Sequence, residues 1–173
     1  MYTVEFLRSR RVWFEELLVP PASSSTKRAH NMHVPGRMVA KTVLVKAGDR
    51  FVLAVLPSTR RIELPRLGAL LGLPAAAVRL ADDEELLAIF TDCEPGVVPP
   101  FGKLYDLGTV FDVSLLEVGE LAFTGNQRHQ GLRMRANDYV AIEEPLIGSF
   151  AVRIAAAGTN PRRRRSIRGR RAG

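Results

Sequence analysis

The sequence is poor in the residues that stabilise disulfide-rich or metal-stabilised domains. There is a single cysteine, Cys93, among the 173 residues, so an intrachain disulfide is excluded. The three histidines are scattered and match no zinc spacing such as His-Glu-x-x-His. No apolar run approaches the roughly 20 residues that cross a bilayer. The composition therefore predicts neither a disulfide framework, nor a metal site, nor a membrane span.

The N-terminal region lacks the unbroken apolar stretch of a signal peptide, because Glu5, Arg8, Arg10 and Arg11 interrupt it. We therefore expect a cytoplasmic protein. The sequence also contains no Walker loop, no Gly-x-Gly-x-x-Gly and no Gly-x-Ser-x-Gly. The nucleotide-binding and hydrolase classes that these motifs define receive no support.

What the chain does contain is 46% apolar residues, a value typical of globular domains. A length of 173 residues favours one domain, which we assign to residues 1–157. Residues 158–173 are expected to form a disordered, arginine-rich tail.

The net charge of +7 is carried by this tail and not by the domain. Without the seven arginines of the tail, the chain has 18 basic and 18 acidic residues. Such a tail can bind RNA phosphates without sequence preference, or it can be a solvated terminus without a specific role. The seven residues are Arg162, Arg163, Arg164, Arg165, Arg168, Arg170 and Arg171.

Helical and strand patterns are interspersed and do not alternate strictly, which favours an α+β fold with a mixed central sheet. Apolar and β-branched runs predict strands, and spaced apolar residues between turn signals predict helices. The predicted extended segments are 12–19, 39–45, 51–56, 78–80, 109–113, 121–124 and 132–135, with 150–157 as a candidate for one further element and 58–62 as a linker. The predicted helices lie near the N-terminus, at Lys27 to Met32, at Leu64 to Leu71, at 82–90, and from Asn137 or Asp138 to Pro145.

Lys41 interrupts the apolar strand 39–45, which follows a Pro35-Gly36 turn. A lysine in such a strand reaches solvent along its aliphatic stem, meets an anionic partner, or faces a cavity. The residue is therefore a candidate for a site, with a solvated lysine as the alternative.

A second unusual stretch is the loop from Asp92 to Gly102, with three prolines and two glycines in eleven residues. It is incompatible with a helix or a central strand. Because it also contains Val97, Val98 and Phe101, it is an apolar, stiff loop. Glycines in such loops suit a close approach of the backbone to a ligand, and a loop that only covers the core is the alternative.

Several acids and the cysteine have simpler explanations than catalysis. The acids from Asp82 to Glu85 open a helix, where the helix dipole favours negative charge. Asp92 and Glu94 are minor candidates for a general base, since solvated loop acids are common. Cys93 is expected to be a structural residue, because a nucleophile needs a lowered pKa and a partnering base.

Three separated stretches resemble the YbaK-type domain, which is the editing domain inserted in bacterial prolyl-tRNA synthetases, and its free-standing relatives. They are Val39 to Val45, Glu94 to Gly102, and Gly125 to Met134. The resemblance extends roughly from Pro20 to Pro145. It implies a three-layer α/β/α arrangement with a mixed sheet, and a free-standing aminoacyl-tRNA deacylase that acts without a cofactor or metal.

The resemblance also implies roles for individual residues. Lys41 matches the hallmark lysine, and Gly96 to Pro100 match the loop that holds the terminal adenosine and its aminoacyl ester. The third motif departs from the family, because Gln127 stands where relatives often have histidine and His129 follows two residues later. His33 also has counterparts near the lysine.

The implied site is thus centred on Lys41 and Gly96 as catalytic residues. The implied substrate-binding residues are His33, Thr42, Val97, Val98, Pro99, Pro100, Phe101, Gly102, Gly125, Asn126, Gln127 and His129.

The implied reaction is hydrolysis of the ester between an amino acid and the 3′-terminal ribose of tRNA. Lys41 would anchor the terminal phosphate or polarise the ester, and backbone N–H groups near Gly96 would stabilise the oxyanion. Val97, Val98 and Met38 are expected to line the amino-acid pocket, with alanine, cysteine, serine and proline all open as targets. The partner would be the terminal adenosine and acceptor stem of aminoacyl-tRNA.

Two alternatives remain at this point. The first is a non-catalytic RNA-binding or regulatory protein that uses the basic tail. The second is a small-molecule hydrolase that uses the same pocket, because a fold does not establish an activity.

Overall fold

The computed structural model describes residues 1–20 and 32–154. The helix predicted for Lys27 to Met32 lies outside these residues except for Met32, and the arginine-rich tail lies outside them entirely. In the described part of the chain, no helix is long and apolar enough to cross a membrane.

Short strands connected by turns and short helices make up the described residues. The strands are β1 (Phe14–Leu18), β2 (Ala40–Ala47), β3 (Arg50–Pro57), β4 (Arg60–Ile62), β5 (Val78–Leu80), β6 (Gly108–Asp112), β7 (Glu120–Thr124), β8 (Gln130–Arg135), β9 (Leu146–Gly148) and β10 (Ala151–Arg153). The helices are α1 (Thr3–Ser9), α2 (Leu64–Leu70), α3 (Asp83–Ile89) and α4 (Ala136–Glu143). Single 3₁₀ turns occupy Gly36–Met38, Ala75–Ala77, Gly102–Tyr105 and Val113–Leu115.

A five-stranded sheet of order β5-β2-β3-β6-β9 forms the centre of the fold. Strands β2 and β3 form an antiparallel hairpin, whereas β6 runs parallel to β3 and β9 runs parallel to β6. The strand β3, almost entirely apolar, is the middle strand, as its composition predicts. The sheet is therefore mixed, and the predicted α+β class is confirmed.

Helices cover both faces of this sheet. Successive residues of β3 point to opposite sides, so its apolar side chains pack on both of them. Ala54 and Leu56 pack with α2 through Leu67 in one apolar cluster. On the other face, Leu53 packs with Phe90, the residue that follows α3. The predicted arrangement of a sheet between helical layers follows from this alternation.

A second, three-stranded sheet of order β1-β8-β7 lies beside the first. A parallel bridge from Val39 to Ala122 joins it to the beginning of β2. Between the sheets and helices α1 and α4, the buried ring of Phe101 is in contact with Phe6, Phe123 and Tyr139, at centroid distances of 5.3, 5.5 and 5.2 Å. The proline-rich loop is thus anchored in the core by an aromatic residue.

Two details of the predicted elements are wrong. The segment 58–62, expected to be a linker, contains the short strand β4, which pairs with β10. Helix α4 begins at Ala136 with Arg135 in the capping position, so neither Asn137 nor Asp138 caps it. A strand of three residues such as β4 has no strong local sequence signal, since it is fixed by its pairing partner.

Candidate functional site

The proline-rich loop is held at its C-terminal end by helix α4. The hydroxyl of buried Tyr139 donates a hydrogen bond to the carbonyl of Pro100, at 2.5 Å. One helical turn later, the buried carboxylate of Glu143 accepts a hydrogen bond from the N–H of Gly102, at 2.8 Å. A residue with a Cβ would not fit at position 102, because that atom would lie 2.5 Å from the carbonyl oxygen of Leu107. These contacts fix the loop where it leaves the site.

At its other end, the loop is fixed by the buried amide of Asn126. The Asn126 Oδ1 accepts hydrogen bonds from the N–H and the hydroxyl of Thr3, at 2.8 and 2.7 Å. Its Nδ2 lies 3.3 Å from Asp92 and 3.4 Å from the sulfur of Cys93. Asn126 therefore links the N-terminal helix to the start of the loop, and its side-chain polar atoms are used within the protein.

The second and third sequence motifs lie side by side. The N–H of Glu94 donates to the carbonyl of Asn126 at 2.9 Å, and the carboxylate of Glu94 accepts from the N–H of Arg128 at 2.9 Å. The guanidinium of Arg128 also donates to the carbonyl of Pro95 at 2.5 Å. The structure thus brings the loop 92–102 and the loop 125–131 into one hydrogen-bonded unit.

A cleft of about 360 Å³ opens between this unit and helix α3. Its loop wall consists of the residues from Cys93 to Val98, and Arg128 closes one side. The opposite wall is formed by α3 and the residue that follows it. The residues of that wall are Asp83, Leu86, Leu87 and Phe90. We call this the loop cleft.

Two backbone donors in the wall of the loop cleft have no acceptor within the described residues. They are the N–H groups of Gly96 and Val98, whereas the N–H of Val97 donates to the carbonyl of Glu94. Gly96 is exposed and has a φ of +79°, and a Cβ at this position would meet no atom within 4 Å. Glycine is the residue that tolerates this left-handed conformation best. Two N–H groups on residues of the cleft wall are therefore available to donate to water or to a ligand.

Lys41 lies at the beginning of β2, opposite Leu56 of β3, and does not line the loop cleft. By strand alternation it shares its face with Val43, which packs in the cluster of α2, while Thr42 shares the face of Leu44. Lys41 is half-buried and has no ion pair or hydrogen bond within the described residues. Burial lowers its pKa from the usual 10.5. An unpaired, partly dehydrated ammonium group is ready to receive an anion.

The cysteine in the cleft wall is not activated as a nucleophile. Burial raises the pKa of the Cys93 thiol to about 11, against a smaller opposing effect of its contact with the Tyr105 hydroxyl, at 3.2 Å. The thiolate is therefore scarce near neutral pH. Burial also raises the pKa of Tyr105.

The remaining predicted site residues have different positions. Gly96, Val97 and Val98 line the loop cleft, and Met38, expected to do so, does not. Pro99, Pro100, Phe101 and Gly102 are buried, so their contribution is to shape and anchor the loop. Gly125 is also buried, directly beside the side chain of Gln130.

Both candidates for the family histidine position lie in the loop 125–131, outside the loop cleft. Neither Gln127 nor His129 lines the cleft, and both are exposed. The carbonyl of His129 accepts a hydrogen bond from the N–H of Val19 at 3.1 Å. His33 lies in a turn and has a positive φ of 54°.

Sequence reasoning missed the wall formed by α3 and the position of Arg128. Leu87 is recognisable only in the structure, where this large apolar side chain is 57% exposed on the helix. The contribution of Arg128 depends on contacts with Glu94 and Pro95, more than thirty residues away. In the described part of the chain, no three histidine, cysteine or acidic side chains converge as metal ligands do.

The fold and the site define an α+β domain with a mixed sheet and a glycine–proline loop beside a ligand-sized cleft. The family model of the aminoacyl-tRNA editing domain matches residues 19–142, which include all three motifs. The chain belongs to this family of aminoacyl-tRNA editing domains. No curated protein matches the chain in sequence.

Solved structures show the same fold at low sequence identity. The hypothetical protein APE2540 is 21% identical with a TM-score of 0.76, and the match covers 86% of this chain and 98% of that one. A protein described as "a putative trans-editing enzyme for prolyl tRNA synthetase" is 20% identical with a TM-score of 0.72, covering 83% and 90% of the two chains. A protein described as a "Putative signal transduction protein" from Marinobacter aquaeolei VT8 is 18% identical with a TM-score of 0.67, over 86% of this chain and 30% of that one.

Proposed function

We propose that this protein is a free-standing, YbaK-type aminoacyl-tRNA deacylase that hydrolyses the ester of mischarged tRNA in the cytoplasm. The observation that carries the proposal is the wall of the loop cleft, where two residues of a family loop, Gly96 and Val98, have N–H groups without acceptors among the described residues. Membership of the editing-domain family identifies the ester of aminoacyl-tRNA as the bond to test.

The reaction needs little chemical assistance, because an α-amino acid ester is already an activated ester. A water molecule must be positioned at the carbonyl carbon, and the negative charge that develops on the carbonyl oxygen must be stabilised. The N–H groups of Gly96 and Val98 are suited to receive this oxygen. A vicinal hydroxyl of the substrate ribose would assist the water, so the reaction would need no activated side-chain nucleophile.

Lys41 supplies the positive charge in this scheme. Its ammonium group would hold a phosphate of the terminal nucleotides or polarise the ester. The position of Lys41 outside the loop cleft favours the phosphate role, since the oxyanion donors lie in the cleft wall. Lys41 has no ion-pair partner among the described residues. Binding of a phosphate to Lys41 therefore breaks no ion pair within this part of the chain.

Selectivity for the amino acid would come from the size of the loop cleft. Val98 on one wall and Leu86 and Leu87 on the other present apolar surface. Val97 is buried behind the loop wall. Such a cleft rejects side chains that are too large and separates similar small ones poorly. We therefore expect hydrolysis of a few related small aminoacyl esters.

The proposal is tested by incubating the full chain with a panel of tRNAs mischarged with alanine, serine, cysteine or proline and measuring the loss of ester. Release of one or a few amino acids, at a rate above spontaneous hydrolysis and unchanged by a chelator, is the expected result. Stability of every ester in the panel would overturn the proposal.

A further inference from the structure

A second cleft, of about 370 Å³, lies where β3 ends and β4 begins. Three arginines line it, Arg37, Arg60 and Arg153, with Glu117 as the acid among the lining residues. They come from three separate parts of the chain, namely the turn before β2, strand β4 and strand β10. We call it the arginine cleft.

The arrangement of these arginines is unfavourable without an anion. Arg60 and Arg153 are directly opposite each other in the antiparallel β4–β10 pair, so their side chains share one face. Like charges in this position repel each other. Within residues 1–20 and 32–154, none of the three guanidinium groups forms an ion pair. The hydrogen bond of Arg60 to the carbonyl of Ala151 is long, at 3.4 Å.

Buried hydrogen bonds hold the backbone that carries the arginines. The carboxylate of Asp112 is fully buried and accepts from the N–H groups of Phe150 and Ala151, at 3.0 and 2.8 Å, and from the N–H of Ser114, at 3.1 Å. This attaches the start of β10, and so the strand that carries Arg153, to the end of β6. The backbone that carries Arg153 is therefore attached to the buried core.

The turn that carries Arg37 is attached in the same way. The N–H of Ser58 donates to the carbonyl of Val39 at 2.7 Å, and its hydroxyl donates to the carbonyl of Gly36 at 2.8 Å. The cleft also adjoins the lysine end of the central hairpin, because the lining residue Pro57 is paired with Ala40, the neighbour of Lys41.

We propose that the arginine cleft binds phosphodiester groups of the tRNA substrate. The guanidinium group is planar and matches phosphate oxygens in pairs, so two arginines at paired strand positions and a third among the lining residues suit an RNA backbone. A bound phosphate also removes the repulsion between Arg60 and Arg153. The inference rests on the proposed function, since it takes tRNA to be the substrate.

The test measures binding of an uncharged tRNA transcript to the full chain by fluorescence anisotropy, over a salt range of about 50 to 200 mM. The test variant combines Arg60→Gln and Arg153→Gln, and the matched control is Arg61→Gln. Arg61 lies on the same strand, is exposed, and points to the other face. The arginine-rich tail is present in every protein, so its contribution cancels.

The double variant should lower the slope of log affinity against log salt by about 1 for each arginine that contacts a phosphate. Its affinity should fall about tenfold or more, while Arg61→Gln changes it less than about twofold. Because the substitutions remove a repulsion, its thermal unfolding midpoint should equal or exceed that of the wild type. Equal losses in the double variant and in Arg61→Gln, or no tRNA binding by the wild type, would overturn the inference.

Ester hydrolysis separates this inference from the proposed function. If the wild type hydrolyses a mischarged tRNA, the double variant should show a raised KM with an unchanged kcat. If the double variant hydrolyses mischarged tRNA with the KM of the wild type, the assignment of the arginine cleft is wrong and the proposed function stands. If the wild type hydrolyses no ester but the double variant loses tRNA binding selectively, the proposed function is wrong and the assignment of the arginine cleft stands.

Discussion

Two neighbouring residues of β2, Lys41 and Thr42, point to opposite faces of the central sheet. Thr42 shares the face on which Leu44 packs with Cys93 and Val98, whereas Lys41 shares the face of Val43 and helix α2. The lysine is therefore separated from the wall of the loop cleft by the strand itself. A role as an anchor for a phosphate fits this position better than direct contact with the ester.

Gly96 and Gly102 of the loop are glycines for different structural reasons, and an alanine substitution at each position will distinguish these reasons. Gly96→Ala meets no neighbour and costs about 1–2 kcal/mol for its left-handed backbone. Gly102→Ala would press a methyl group against the carbonyl of Leu107 and the hydroxyl of Thr109, and should cost about 3 kcal/mol. Urea unfolding of both variants measures these losses.

Activity should follow a different order from stability at these positions. Gly96→Ala keeps the backbone N–H, but its methyl group would obstruct a substrate that approaches this N–H closely, so the variant should lose more ester hydrolysis than its small destabilisation explains. Wild-type rates in a folded Gly96→Ala protein would contradict a close approach of the ester to Gly96.

The thiol of Cys93 should react slowly, because burial raises its pKa to about 11. Its alkylation rate by iodoacetamide should keep rising about tenfold per pH unit above about pH 8.5, where an ordinary cysteine levels off. An alkylation rate that stops rising near about pH 8.5 would contradict the raised pKa of Cys93. Cys93→Ala should retain ester hydrolysis within about twofold, since a thiol that stays protonated has no chemical role.

At the scale of elements, helix α4 positions the loop through two residues one turn apart. Tyr139 donates to the carbonyl of Pro100, and Glu143 accepts from Gly102 and Thr109. Within the described residues, the second carboxylate oxygen of Glu143 is buried without a partner. Burial raises the pKa of Glu143 above 4.5 despite these hydrogen bonds.

This raised pKa makes the stability of the protein depend on pH. The protonated form of Glu143 is favoured by folding, so its contribution is present below pH 4.5 and is lost as pH rises through the folded pKa. Glu143→Gln keeps a carbonyl acceptor and carries no charge. Its unfolding free energy, relative to the wild type, should therefore increase as pH rises from about 4 to 8.

Urea unfolding of both proteins across this range measures the difference. Because the other titrating groups are common to the two proteins, their contributions cancel. A difference that does not change with pH would contradict the buried, dehydrated state of this carboxylate.

The sequence predicts the elements whose signals are local. The hairpin β2–β3 follows from two apolar runs around a short turn, and the loop 92–102 follows from its prolines and glycines. The wall of the loop cleft on α3 depends on tertiary contacts, and so do the hydrogen bonds of Tyr139 and Glu143 with the loop 92–102. Their residues look like ordinary helix positions, so no local pattern distinguishes them.

The arginine cleft could not be predicted from sequence for the same reason. Its members, Arg37, Arg60 and Arg153, stand in different segments, and the pairing of β4 with β10 helps to bring them together. The excess charge of the chain is in the tail, and this conceals a local concentration of charge in a domain that is neutral as a whole.

At the scale of the whole molecule, we expect the tail and the domain to make separate contributions to RNA binding. Truncation after Gly158 removes the seven arginines and should weaken binding of any RNA, with a smaller salt slope. We expect the truncated protein to retain kcat for ester hydrolysis, because the loop cleft lies within the domain. Anisotropy and hydrolysis assays on the two lengths check this.

The alternative role as a non-catalytic RNA-binding protein makes the opposite prediction. In that case truncation would abolish RNA binding, and neither length of the chain would hydrolyse any aminoacyl ester.

The most direct measurement is the rate of ester hydrolysis by Lys41→Ala beside Lys46→Ala, on the mischarged tRNA that the wild type prefers. Lys46 is the matched control, since it lies on the same strand and its ammonium group rests over the ring of Phe51, at 4.2 Å. We predict that Lys41→Ala loses about 10- to 100-fold in kcat/KM, the scale of one charge-assisted hydrogen bond to a phosphate, while remaining folded. Lys46→Ala should keep the wild-type rate. Full activity in a folded Lys41→Ala protein would contradict the central role of this lysine.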